Sequence, residues 1–375
     1  MLGWEYPPHV TGGLAPATAG IVRGLLAAGH EVQLIVANAE GAAGAPHLTV
    51  HGVLGEPAPG GYEGVGDALY GMFGAVERYA VAASAIARTV RFDVIHAHDW
   101  LTAPAAMRIA AEHRTPWVLH VHATEFDRAG EHGNEGVMAV ERAAVHSASV
   151  VIAVSAYTRD IVIRRYGADP SRVHVVHNSV DREAPWLADE DDDTPHRPMV
   201  LFLGRVTFQK GPDYFVEAAR LVLQHEPEVL FVVAGEGDMR GRLMQHVAGL
   251  ELGKSILFTG FVSPDDAARL LASADVFVMP SVSEPFGIAA LEALRAGTPV
   301  ILDRGAGVTE VARDVLLVDF WNVRQMADRI LAALTYPTLR RELSARGRAS
   351  VEKWSWERAG ARITELYAPL LAGSR

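Results

Sequence analysis

The sequence predicts two α/β domains, each built on a doubly wound parallel sheet, and three observations support that. At 375 residues the chain is longer than one hydrophobic core normally fills, so two domains of comparable size are expected. Short apolar, β-branched runs alternate with longer segments of helical period rich in Ala, Leu and Arg, the pattern of βαβ units. Residues 189–198, DEDDDTPHRP, break that alternation with an acidic run and two prolines, and beyond them it starts again.

Taken in order, the strands of the first half are expected at 32–37, 48–53, 94–97, 117–121, 150–154 and 173–176. Helices are expected between them at 17–28, 66–89, 101–113, 135–147 and 156–166, several introduced by a Ser, Thr or Asn able to cap a first turn. In the second half strands are expected at 200–204, 229–234, 256–259, 276–279, 299–302 and 316–318. The first domain is set at 1–188, the linker at 189–198 and the second domain at 199–354. A last amphipathic helix, 355–371, carries Trp356, Ala359, Ile363, Leu366 and Tyr367 near one face.

Composition excludes several function classes. A formal net charge of -11 repels phosphodiester backbones and anionic headgroups, and no basic patch offsets it, so neither nucleic acid nor a membrane surface is an expected partner. The absence of cysteine rules out disulfides, thiolate zinc sites and a cysteine nucleophile. No segment reaches about 18 uninterrupted apolar residues, and the first nine show no basic region followed by an apolar run. A cytoplasmic enzyme is the expectation.

In doubly wound sheets ligands bind outside the carboxyl ends of the strands, so the polar residues expected there are the candidates. Gly12 and Gly13, ahead of a helix, let backbone N–H groups approach a phosphate. His96, His98 and Asp99 end one strand, and His120, His122 and Glu125 end the next. Two His-x-His pairs with carboxylates suit a transition metal, as in a metal-dependent hydrolase; they also suit sugar hydroxyls, with His96 and His120 simply packed. Arg205 and Lys210, five apart across a strand-to-helix turn, can converge on one pyrophosphate. Glu284 lies in a Pro/Gly loop and Glu292 a little over a turn into the next helix. The N–H groups of Gly287 and Ile288 then point at an anion, and Glu292 can accept from a ribose diol.

At these residues the chain resembles the retaining glycosyltransferases of family 4, which include bacterial glycogen synthases and the sucrose-synthase-like and mannosyltransferase-like enzymes. The segments GGLA, HAHDW, HATEFDR, HNSVD, LGRVTFQKG, AGEGD, FTGFV and EPFGIAALEALRAGTPV occur in the family's order along nearly the whole length. The resemblance implies a GT-B fold, two Rossmann-like domains facing each other across a cleft, with the last helix, 355–375, crossing back to the first. It implies a nucleotide-diphosphate sugar as donor, a carbohydrate acceptor, and no cofactor or essential metal.

By position, Arg205 and Lys210 look like the pyrophosphate pair, Glu284 like the carboxylate beside the donor sugar, and Glu292 like the ribose ligand. His122 matches the histidine near the anomeric centre, while Gly12, Gly13, Gly235, Glu236, Phe286, Gly287 and Ile288 fall on the nucleotide-sugar side and Asp99 and Glu125 on the acceptor side. The implied reaction is hexosyl transfer, glycogen-synthase-like, with glucose from UDP- or ADP-glucose as the sharpest form. Mannosyl or other hexosyl transfer to a small acceptor, and a non-catalytic nucleotide-sugar-binding subunit, are the alternatives.

The chain departs from the family in four places. Val10 replaces the Lys of glycogen synthases, Ser179 replaces a Gly, and Ala306-Gly307 replaces a Gly-Gly pair. Met1 falls inside the expected first, central strand, which implies a start placed too far downstream or a short first strand.

Overall fold

A computed structural model describes residues 1–55, 67–180 and 197–372, the side chains of 67–70 aside. The expected linker lies outside the described residues except for Arg197 and Pro198, as do Gly66, Asp181 and the last three residues. Two compact units form, one from Met1–Ser179 with Ser355–Arg375 and the other from Val180–Trp354.

In the first unit β1 (Val32–Val36) pairs in parallel with β2 (Leu48–Gly52), and β3 (Ile95–His98), β4 (Trp117–Val121), β5 (Val150–Ala153) and β6 (Val173–Val175) follow one another in a second parallel set. A short first strand joins the two sets: Leu2 bridges both Ile35 and Ala97. Its N–H donates to the His96 carbonyl at 2.7 Å, and the Gly3 N–H donates to that of Ile35 at 2.9 Å. Every residue of β4 and β5 is buried, as expected where helices cover both faces of a parallel sheet.

Two helices start earlier than predicted. Leu14–Ala27 gains a turn because Pro16 falls in its first turn, where a missing N–H leaves no bond unmade. Asp99–His113 begins directly after β3, with Asp99 itself at φ 56°.

The last helix, Trp356–Ala372, packs on the first unit. Small residues let it approach the helix Leu14–Ala27: a methyl group on Gly24 would stand 2.1 Å from the Trp356 carbonyl oxygen, and one on Gly360 would stand 2.1 Å from the Gly24 carbonyl carbon. Trp356, Ala359, Ile363, Leu366 and Tyr367, the predicted apolar face, are all buried.

The second unit holds a six-stranded parallel sheet of β7 (Met199–Leu203), β8 (Leu230–Ala234), β9 (Ile256–Gly260), β10 (Val276–Met279), β11 (Val300–Asp303) and β12 (Leu316–Val318). The spatial order is β12-β11-β10-β7-β8-β9, so the chain reverses direction across the sheet between β7 and β10. That switch point, at the carboxyl ends of both strands, is where an open α/β sheet offers its crevice.

Candidate active site

The loops leaving β7, β8 and β10 converge at the switch point of the second unit, and backbone contacts hold them together. The Val206 N–H donates to the Glu236 carbonyl at 2.7 Å, and the Val282 N–H to that of Gln209 at 2.9 Å. Glycine is required where these loops cross. Gly235 has φ 139°, and a methyl group there would lie 1.9 Å from the Gly204 carbonyl oxygen; at Gly211, φ 64°, it would lie 2.2 Å from that of Pro280. The Glu236 side chain pairs with Arg240 at 3.7 Å.

On this frame Lys210 and Glu284, 74 residues apart, form an ion pair: the Lys210 Nζ donates to the Glu284 Oε2 at 2.6 Å. The same oxygen accepts the Ser281 hydroxyl at 3.0 Å. Glu284 is only 5% exposed, so its orientation is set by partners rather than by solvent. Its loop is clamped by the turn after β11, where the Gly307 N–H donates to the Glu284 carbonyl and the Val308 N–H to that of Phe286. The Ala306-Gly307 departure therefore sits in the turn that holds Glu284. Arg205 lies on the Lys210 turn, its guanidinium donating to the Gln209 side-chain carbonyl at 3.2 Å.

Gly287, at φ 108°, precedes the helix Ile288–Ala296, and the Ala290 N–H donates back to the Gly287 carbonyl at 3.1 Å. Glu292 follows within that helix, partly exposed. Phe286, expected on the nucleotide-sugar side, is buried, at 2% exposure, and its carbonyl accepts the Val308 N–H.

The first unit presents different chemistry. His98 on β3 stands in register with His120 on β4. His96, His98 and His120 are buried, while His122 is partly exposed. The His98 Nδ1 meets the His122 Nε2 at 2.8 Å, the His96 Nε2 meets the His120 Nδ1 at 3.1 Å, and the His96 Nδ1 meets the Tyr367 hydroxyl at 2.5 Å. The rings of His120 and His122 stack with centroids 4.5 Å apart. Burial, reinforced by neighbouring imidazoles, holds His96, His98 and His120 well below the ordinary histidine range, and burial also lowers His122 against the opposing pull of Asp99. All four are thus neutral donor–acceptor groups at pH 7.

Asp99 and Glu125, expected on the acceptor side, are buried and hydrogen-bonded within the first unit. The Asp99 Oδ1 accepts the backbone N–H of His122 at 2.6 Å and so fixes the loop that carries the imidazole. Glu125 is 1% exposed, its Oε1 accepts the Asn134 N–H at 2.8 Å, and its Oε2 lies 3.7 Å from Arg128. Behind it Glu141 accepts the Glu125 N–H at 3.0 Å, faces Arg128 at 3.4 Å and takes the Tyr166 hydroxyl. Burial pushes the Glu141 carboxyl up to about 7, Arg128 and the Tyr166 bond opposing it. Sequence reasoning missed this network because nothing in the spacing of 125, 128, 141 and 166 announces it. Gly12 and Gly13, at the N-terminus of Leu14–Ala27, have open space around them.

Comparison with known proteins agrees with the fold. The family model described as "Glycosyltransferase Family 4" matches residues 11–184, and that of "Glycosyl transferases group 1" matches 189–350. An uncharacterised glycosyltransferase of Methanocaldococcus jannaschii is 33% identical over 335 residues, covering 84% of this chain and 82% of the relative. A glycogen synthase of Mycobacterium tuberculosis is 28% identical over 400 residues, covering 100% and 95%. Among solved structures, sucrose-phosphate synthase from Thermosynechococcus elongatus has a TM-score of 0.83 at 22% identity, with 99% of this chain and 98% of that one covered. Anabaena HepE, solved in complex with UDP-glucose, has a TM-score of 0.76 at 18% identity, with 98% and 99% covered. The fold and the family matches define a GT-B transferase. The chain belongs to the glycosyltransferase 4 family and is a glycogen-synthase-like glycosyltransferase. Among the described residues no helix is long and apolar enough to cross a membrane.

Proposed function

We propose that the enzyme transfers a hexose, glucose from UDP- or ADP-glucose in the sharpest form, to a glucan or another sugar acceptor with retention of anomeric configuration. The observation that carries this reading is the Lys210–Glu284 pair at the switch point, with Arg205 on the same turn. Arg205 and Lys210 neutralise the diphosphate as it leaves, the role a divalent ion fills elsewhere, so the transfer itself needs neither metal nor cofactor. Glu284, held by Lys210 and Ser281, lies beside the donor sugar, and Glu292 takes the ribose. The nucleotide sugar thus belongs to the second domain, with Gly235, Glu236, Gly287 and Ile288 around it.

His122 belongs to the first, where the acceptor enters, and Gly12 and Gly13 stay on the nucleotide-sugar side. The neutral imidazole of His122 donates to or accepts from a hydroxyl without adding charge at the anomeric centre. The departing phosphate takes the acceptor proton on the same face, so no separate base carboxylate is called for. The glucosyl reading is supported by the glycogen synthase relative and by the UDP-glucose that HepE binds.

The test is nucleoside diphosphate release by the purified enzyme in EDTA, with UDP-glucose, ADP-glucose and GDP-mannose in parallel and glycogen or maltooligosaccharides as acceptors. Release from one glucose donor that rises with glucan supports the reading. Release only from GDP-mannose moves the assignment to mannosyl transfer, and activity that EDTA abolishes overturns metal independence.

A further inference from the structure

Two imidazole nitrogens 3.1 Å apart, as the His96 Nε2 and His120 Nδ1 are, share either a proton or a cation. A tetrahedral ion with metal–nitrogen bonds of about 2.0–2.1 Å sets its ligand nitrogens roughly 3.3 Å apart, close to what is seen here. His96 and His98 alternate along β3 and so point to one face of the sheet, and His98 stands in register with His120. One nitrogen from each of His96, His98 and His120 lies within 4.8 Å of the others.

The outer nitrogens of two of these rings are already held as metal-bound histidines usually are. The His96 Nδ1 meets the Tyr367 hydroxyl, and the His98 Nδ1 meets the His122 Nε2. That arrangement orients each ring and leaves its Nε2 as the ligand. The Nε2 of His98 is buried without a hydrogen-bond partner, a cost that coordination would remove.

We propose that His96, His98 and His120 form a binding site for one divalent transition-metal ion of the Zn²⁺ or Co²⁺ class, separate from the charged switch point of the second unit. Three neutral nitrogen ligands with no carboxylate among them select such ions over Mg²⁺ or Ca²⁺. The Tyr367 contact ties the site to the last helix, and the partly exposed His122 at the end of the stack marks its open side.

The test is titration of the full-length enzyme, stripped with EDTA and desalted, with Co²⁺, followed by visible ligand-field absorption and calorimetry. One equivalent of a nitrogen-ligated spectrum, displaced by Zn²⁺ and not by excess Mg²⁺, is expected. His98→Gln and His120→Gln should lose that equivalent, Tyr367→Phe should weaken it by about 10- to 100-fold, and the exposed-site control His225→Gln should leave it unchanged. A native enzyme that takes up no Co²⁺, or uptake indifferent to both His98→Gln and His120→Gln, overturns the proposal. Should those two variants not fold, the native spectrum and Tyr367→Phe decide it, since an unchanged affinity in Tyr367→Phe overturns it equally.

Discussion

The two units carry parallel sheets of the same winding, and both place polar side chains at the carboxyl ends of adjacent strands, yet the chemistry is opposite. In the first unit β3 and β4 end in four clustered imidazoles, three of them stacked, which burial keeps neutral. In the second, β7 and β10 lead into an ion pair, with a further cation one turn away. The difference follows from what surrounds each group. An imidazole can shed its proton and remain hydrogen-bonded when buried, whereas a carboxylate at 5% exposure is held by an ammonium and a hydroxyl. Topology supplies the position, and the local partners decide whether charge survives there.

Removing either member of the charged pair is the sharpest way to break that contrast. Lys210→Ala is expected to lower turnover by about 10²- to 10³-fold and to weaken donor binding as well. Glu284→Ala is expected to lower turnover to a similar degree with a smaller loss of donor affinity. Steady-state rates with donor calorimetry check both, and turnover near that of the wild type in either would refute the catalytic role of the pair.

A stability effect of intermediate size should appear in the first unit at the seat of the last helix. Gly360→Ala pushes a methyl group to within 2.1 Å of the Gly24 backbone and should cost about 1–3 kcal/mol or more in a urea titration. An unchanged midpoint would mean that the helix is not seated there in solution.

The Glu141 network sharpens the comparison through pH. The folded-state value of about 7 lies above the ordinary 4.5, so the folded enzyme holds the proton more tightly than the unfolded chain does. Stability from this group is complete below about pH 4.5 and is lost as pH rises towards about 7. Glu141→Gln should flatten the stability profile in that window, and a slope identical to that of the wild type would reassign the titration to another group. The smallest stability effect is expected at Gly12→Ala and Gly13→Ala, where nothing lies within 4 Å of an added methyl group. Their unfolding free energies should stay within about 0.5 kcal/mol of the wild type. Donor affinity should fall if this turn closes over the phosphates, and unaltered affinity would remove it from the site.

The periodicity of apolar residues was enough to place nearly every strand within a residue or two, because the strands are short apolar runs bounded by turn residues, β3, β4, β5, β10 and β11 buried throughout. Helix starts were less legible. Pro16 and the left-handed Asp99 both look like breakers in a linear reading, and both are accommodated in first turns. The candidate site was legible where its residues are close in sequence, as with Arg205 and Lys210 on one turn. It was not legible where they meet across 74 residues, as with Lys210 and Glu284, or across 271, as with His96 and Tyr367.

The sequence by itself therefore determined the class of fold, the family and the set of polar side chains available at the strand ends, since these follow from local period and ordered motifs. The tertiary structure decided which of those side chains face each other, that Glu125 and Phe286 are buried, and that the histidines form one hydrogen-bonded cluster. Those outcomes depend on strand order, register and desolvation, which arise only when distant segments pack, and no spacing along the chain encodes them directly.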